Sequence, residues 1–296
     1  HKAMPLYNHD SEILLHQFLC NTSHYVSSIV ELEREYKFDI GRNLLFNFLK
    51  NMNFEDLLKE LNDKNDIYSR ASRIYIFLIL TYMKFLNNSD TNYFELKKEL
   101  FENISIFDTF EKGFFSHAIY WLVESMAKKQ RYFEFTKETF SIINFRLQND
   151  LYKRTPKDPF TVSAFCSFFY VGFKLKEKNW LLNFKKRYLI ELPVQERESC
   201  DAWTSIFIDF LEDDYIKCLN RINYFKNFIL IYTYPVKRLQ LMVFYELGYI
   251  NEAFYAIDAF KSFLKKNRKI SEFFVESNNS FIELYIRLLK HKYEGK

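Results

Sequence analysis

Glycine and proline are scarce, with five of each in 296 residues. Every hairpin of a β-sandwich or barrel needs residues suited to tight turns or positive φ, so this chain cannot close many strands. The glycines stand far apart, at 41, 113, 172, 248 and 295, and no glycine-rich loop exists to cradle a phosphate. That excludes P-loop and dinucleotide-binding fingerprints. Cysteine is sparse as well. Cys20, Cys166, Cys200 and Cys218 form no CxxC pair, and Cys20, Cys166 and Cys218 have apolar neighbours. Thiols in such settings behave as small buried hydrophobes, which fits a reducing, cytoplasmic environment. Long apolar runs are also missing. Ile74–Met83 is ten uncharged residues and Pro159–Phe173 fifteen. Both fall short of the roughly 20 needed to cross a bilayer, so no membrane span is expected.

What the chain has in quantity is aromatic and aliphatic bulk. It holds 34 Phe and 21 Tyr, is 48% apolar and is 27% charged, the balance of a folded globular chain. At this length it forms one large domain or two. The net charge of +4 is uneven, because residues 261–296 carry nine Lys or Arg against four Glu. A dedicated nucleic-acid binder would show a stronger basic field than the near-neutral remainder. The opening His1-Lys2-Ala3 reads as a cloning remnant with Met4 as the start, and no signal-peptide pattern follows.

Hydrophobic spacing of three and four residues predicts helices throughout. The expected segments are 11–40 (one or two helices), 42–50, 54–61, 66–86, 93–104, 108–128, 132–151, 161–176, 180–190, 196–211, 214–231, a helix with Pro235 in its first turn, 251–266 and 272–292. Asp66 and Asp214 stand as N-caps. The run KRTPKDPF, 153–160, holds two prolines and is the strongest break. It divides the chain into an N-terminal half, 1–152, a hinge, 153–160, and a C-terminal half, 161–296, closed by a capping helix.

A large residue follows a short polar turn at Phe54, Tyr93, Tyr132, Trp180, Tyr215 and Ile250, at intervals of 39, 39, 48, 35 and 35 residues. Helix pairs at such a period are the signature of an all-α solenoid, here about six stacked antiparallel hairpins. An irregular helical bundle with short loops is the alternative. In 241–260, Phe244, Gly248, Ala253, Ile257 and Phe260 occupy the spacing of a tetratricopeptide unit, which this stretch resembles. Phe260 replaces a small residue and Lys237 stands where the motif prefers Trp; the unit before it keeps Tyr215 and Cys218 but has no glycine. The resemblance implies a right-handed solenoid whose inward helix face binds partner peptides. On this chain that face carries Arg238, Met242, Tyr245 and Glu246. It is either open to a partner or covered by the last helix.

Few residues point to chemistry. His9, His16 and His24, with Glu31, lack metal-ligand spacing and read as capping or exposed histidines. His117, with Glu124 seven residues on, reads as a hydrogen-bonded buried histidine. Glu212-Asp213-Asp214 reads as a capped turn, and most aromatics as core. Lys265, Lys266, Arg268 and Lys269 mark a helix C-terminus, where cations are favoured, or a patch for an acidic partner, RNA or anionic lipid. No catalytic, cofactor or metal residues are assigned. The function expected is a non-enzymatic scaffold binding another protein or another part of its own chain. The alternative is nucleic-acid or anionic-surface binding through 261–296.

Overall fold

The computed structural model describes residues 4–36, 40–87, 92–130, 133–153, 157–225, 230–267 and 272–294. Among them the chain is all-helical, with fourteen α-helices, three short 3-10 turns and no strand. It divides into two compact units, His1–Pro156 and Lys157–Lys296, a division that falls within the 153–160 stretch.

The first unit is built on α4 (Ile67–Leu86), which starts at an Asp66 cap accepting from Ser69 N at 2.9 Å. Ile74, Tyr75, Ile76, Leu78, Ile79 and Tyr82 are all fully buried, so α4 is covered on nearly every side. A helix apolar all round needs several neighbours. They are α1 (Met4–Tyr36), α3 (Phe54–Asn62) and α5 (Tyr93–Asn103), each packed on α4. The short α2 (Leu44–Leu49) precedes α3, while α5 packs on α6 (Thr109–Gln130) and α6 on α7 (Phe133–Gln148). Where one or two helices were expected near the N-terminus, α1 is a single helix of 33 residues. Its partner α4 is far away in sequence, a pairing that no local turn signal encodes.

The second unit is more regular. Its helices are α8 (Val162–Lys174), α9 (Lys178–Tyr188), α10 (Val194–Leu211), α11 (Tyr215–Tyr224), α12 (Leu230–Leu247), α13 (Ile250–Lys266) and α14 (Glu272–Glu294). Consecutive helices from α8 to α14 pack on each other, and so do α8 with α10, α10 with α12 and α12 with α14. Helix α10 lies deepest, with Trp203, Ile206 and Phe207 fully buried and Trp203 Nε1 donating to the Tyr232 carbonyl at 2.9 Å. At the unit's N-terminal edge, buried Phe160 donates its N–H to the Glu191 carbonyl at 2.9 Å.

Three turns of this unit share one geometry. Lys176 (φ 58°), Asp213 (φ 58°) and Gly248 (φ 71°) occupy the left-handed region, 37 and 35 residues apart. In each, the next residue's N–H reaches back to a carbonyl in the last turn: Glu177 to Gly172 at 3.1 Å, Asp214 to Asp209 at 3.0 Å and Tyr249 to Phe244 at 3.0 Å. These are Schellman closures. The residue after the left-handed one has nearly the same backbone each time, φ −78°, −86° and −84° with ψ 63°, 67° and 75°, and a new helix follows directly.

One segment differs from expectation. Residues 214–231 are not a single helix, because Phe225 turns to an extended ψ of 115° and ends α11 at Tyr224. Helix α12 begins at Leu230, so Pro235 lies inside it rather than in its first turn.

Candidate functional site

The face marked out for a partner on α12 is occupied by the chain's own last helix. Arg238 donates from Nε to Asn278 Oδ1 at 2.7 Å and from Nη2 to Ser277 Oγ at 3.1 Å, with its guanidinium 5.1 Å from the Phe281 ring. Lys292 lays its Nζ 3.9 Å above the Tyr245 ring and donates to the Tyr245 carbonyl at 3.0 Å. Tyr285, buried, donates to the Leu241 carbonyl at 2.5 Å. Ile282, Tyr285 and Leu289 of α14 join Leu241, Phe244, Ala253 and Ile257 in one apolar core. Burial on this scale makes α14 a layer of the fold rather than a loose strap. Of the four residues on that face, Arg238 and Tyr245 are engaged by α14, Met242 is half-buried and Glu246 is exposed.

Within 241–260, Gly248 is needed for its φ and not for space. A Cβ there would meet nothing nearer than the Tyr293 hydroxyl at 3.6 Å. Ala253 and Phe260 are buried, and Lys237, at the position where the motif prefers Trp, holds its Nζ 4.7 Å from the Phe263 ring. Burial lowers the Lys237 pKa.

Of the basic cluster, Lys265 and Lys266 are exposed on the last turn of α13, where they complement the helix dipole. Arg268 and Lys269 lie outside the described residues.

The matching turns also share a buried slot four residues before the left-handed position. Gly172 fills it in the α8–α9 hairpin, where a Cβ would stand 2.8 Å from the Trp180 ring. Phe244 fills it in α12. In α10 it holds Asp209, only 3% exposed, which accepts from Arg221 Nε at 2.6 Å and Lys217 Nζ at 2.8 Å. The hydrogen bond to Asp209 raises the Lys217 pKa. Asp214 next to this triad is the expected N-cap, accepting from Lys217 N at 3.1 Å. The sequence drew attention to Glu212-Asp213-Asp214 and missed Asp209. Its one signal is the pair of cations at 217 and 221, spaced to place both on one face of α11.

No known family model, characterised protein or solved structure matches this chain.

In the first unit a second polar cluster joins α1, α4 and α6. Glu111 accepts from the buried Tyr75 hydroxyl and, at 3.8 Å, from the Cys20 thiol. Cys20 is therefore a half-buried thiol facing a carboxylate, unlike the buried Cys166, Cys200 and Cys218. Burial, with hydrogen bonding to Glu111, pushes the Tyr75 pKa far up, and burial also raises that of Cys20. His16 packs edge-on against Tyr68 and Tyr75, and His24 lies face to face with Phe114 at 3.6 Å between ring centres. Burial lowers both imidazole pKa values, against an opposing pull from Glu111. His16, Cys20 and His24 fall on one α1 face. Even so, among the described residues no group of three or more His, Cys, Asp or Glu is arranged to hold a metal ion. His117 departs from the buried reading. Its side chain is 50% exposed and its Nε2 faces Glu31 of α1 at 3.7 Å.

A recess between α1, α3 and α4, lined by Leu15, Leu57, Tyr68 and the Glu12–Lys64 ion pair, measures about 60 Å³. Small-molecule sites are several times larger, roughly 300 Å³ and up. No helix among the described residues is long and apolar enough to cross a membrane.

Proposed function

We propose that this chain is a non-enzymatic helical-repeat scaffold, with its 157–296 unit a short tetratricopeptide-like solenoid, that binds another protein or another part of its own chain. The observation that carries this reading is the turn recurring at Lys176, Asp213 and Gly248. Three hairpins closed by matching turns at a period of 37 and 35 residues, with every second helix from α8 to α14 in contact, have the neighbour pattern of stacked repeats. Such stacks present long faces that suit extended contacts with a partner. The polar groups inside both units support a structural role. Asp209, Glu111 and Arg238 each tie two or more helices together. Four unpaired cysteines suit a reducing, cytoplasmic setting.

The test is affinity capture with the whole chain as bait, followed by reconstitution from purified components. A discrete partner bound at fixed stoichiometry is the expected result. If no protein is retained above an unrelated helical control, the scaffold reading falls. Retention of nucleic acid that disappears with added salt would replace it with the basic-surface alternative.

A further inference from the structure

We infer that the outward face of α9, continued by the 3-10 turn Leu189–Glu191 and the start of α10, is the docking surface for an acidic protein segment carrying apolar side chains. The inference rests on the scaffold reading and locates its partner surface away from the α12 face that α14 fills.

Charge is the first argument. Six of the seven charged residues between 174 and 188 are Lys or Arg: Lys174, Lys176, Lys178, Lys185, Lys186 and Arg187, against Glu177 alone, and acids reappear only past α9, at Glu191 and Glu196. Outside this stretch and 261–296, the chain is net acidic. Internal pairing accounts for part of the charge. Lys178 reaches Glu212 at 3.2 Å, and Lys185 turns inward to Asp201 at 2.8 Å and Ser205 Oγ at 2.6 Å. Lys176, Lys186 and Arg187 present their charge to solvent. Helix stability explains the cations at the C-terminal ends of α8 and α9, but not Lys178 at the start of α9, where the dipole opposes it.

The second argument is the apolar surface among these cations. Leu182 is 40% exposed, Ile190 66% and Val194 73%. Lys178, Leu182 and Lys186 recur at four-residue spacing, and Ile190 continues the series. Aliphatic side chains beside cations suit a peptide that supplies carboxylates and apolar anchors. Nucleic acid would call for exposed aromatic faces on which bases stack. The aromatics of α9 are committed elsewhere: Trp180 and Phe184 stack on each other at 4.8 Å, and Trp180 closes over Gly172.

The inference is tested by fluorescence anisotropy on the whole chain with three labelled probes. They are a peptide of alternating Glu-Leu and Asp-Phe pairs, the same peptide with Ser for Leu and Phe, and oligouridine. The first should bind tightest. Lys176→Glu/Lys186→Glu/Arg187→Glu and Leu182→Ser/Ile190→Ser should each weaken it about tenfold. Both variants change exposed residues, so circular dichroism should stay near wild type; the charge reversal loses cations at helix C-termini, and its thermal midpoint should fall slightly. Lys265→Glu/Lys266→Glu should bind like wild type. Equal binding of the Ser peptide, tighter binding of oligouridine, or unchanged affinity in the α9 variants would each overturn the inference. If a captured partner is retained equally by the α9 variants, the scaffold reading stands and this surface is wrong.

Discussion

The two units solve the same burial problem differently. In the second, order is local and repeated: a left-handed residue closes each hairpin, and a fully buried Leu181, Cys218 or Ala253 sits five residues later. In the first, order is long-range. Helix α1 packs along α4, and polar bonds join helices distant in sequence, such as Tyr75 to Glu111 and Tyr93 to Glu138 at 2.8 Å. Among the described residues its one matching turn, at Asp150 (φ 54°), is braced by the buried Arg146, which donates to the Leu151 carbonyl at 3.2 and 3.1 Å. The burial that holds Arg146 there lowers its pKa to about 10. The difference teaches that, although distant bonds such as that from the Tyr232 hydroxyl to the Ser163 carbonyl join its helices too, the second unit sets each hairpin by matching short-range turns. A unit without them has to specify its helix pairs through individual side chains.

That contrast is strongest, and easiest to break, in the cores. Trp203→Ala and Phe115→Ala both truncate fully buried rings, and each should cost about 3–5 kcal/mol in denaturant unfolding. A much smaller loss for Phe115 would mean that the polar-laced first unit relaxes around a cavity where the second unit cannot.

A smaller effect is expected at the α8–α9 approach. Gly172→Ala places a Cβ 2.8 Å from the Trp180 ring, so it should destabilise by about 1–3 kcal/mol despite alanine's better helix propensity. A stabilised variant would show that the Trp180–Phe184 stack can shift freely.

The turns themselves yield a pair of opposite signs. Gly248→Ala forces a Cβ into the left-handed region and should lose about 1 kcal/mol. Lys176→Gly relieves the same strain and should gain up to roughly half of that, after the glycine's greater unfolded-state entropy. Shifts of the same sign in the two melting curves would deny that these turns are equivalent.

The smallest effect is titration of the first unit. His16 and His24 have lowered pKa values from burial, so the unfolded chain binds protons that the folded chain refuses. Stability should therefore be level above the ordinary imidazole pKa of about 6.5 and decline as pH falls below it. In His16→Phe/His24→Phe, which keeps the aromatic contacts, the slope between neutral pH and pH 5 should flatten. An unchanged slope would place the acid sensitivity elsewhere.

Much of the helix order was legible because spacing alone carries it. The long apolar α4 and the caps at Asp66 and Asp214 follow from residue type and position. All three equivalent turns were placed by the sequence, but only Gly248 marked its left-handed residue; lysine carries no such signal at 176 and aspartate a weaker one at 213. Asp209 was illegible for a related reason: a buried carboxylate looks like any surface acid until its cations are brought to it. The basic face of α9 was in plain view in the sequence. Only the net charge of the whole chain conceals it, because the acidic remainder offsets it.

By itself, then, the sequence determined which segments coil and which of their faces are apolar, since both depend on neighbours within a few residues. Tertiary structure decided what covers those faces. That α14 lies on Arg238 and Tyr245, and that α1 seeks α4, depends on side chains tens of residues apart competing for the same buried area. No local pattern records the outcome of that competition, because the free energy of covering a face depends on its area and shape and not on which segment covers it.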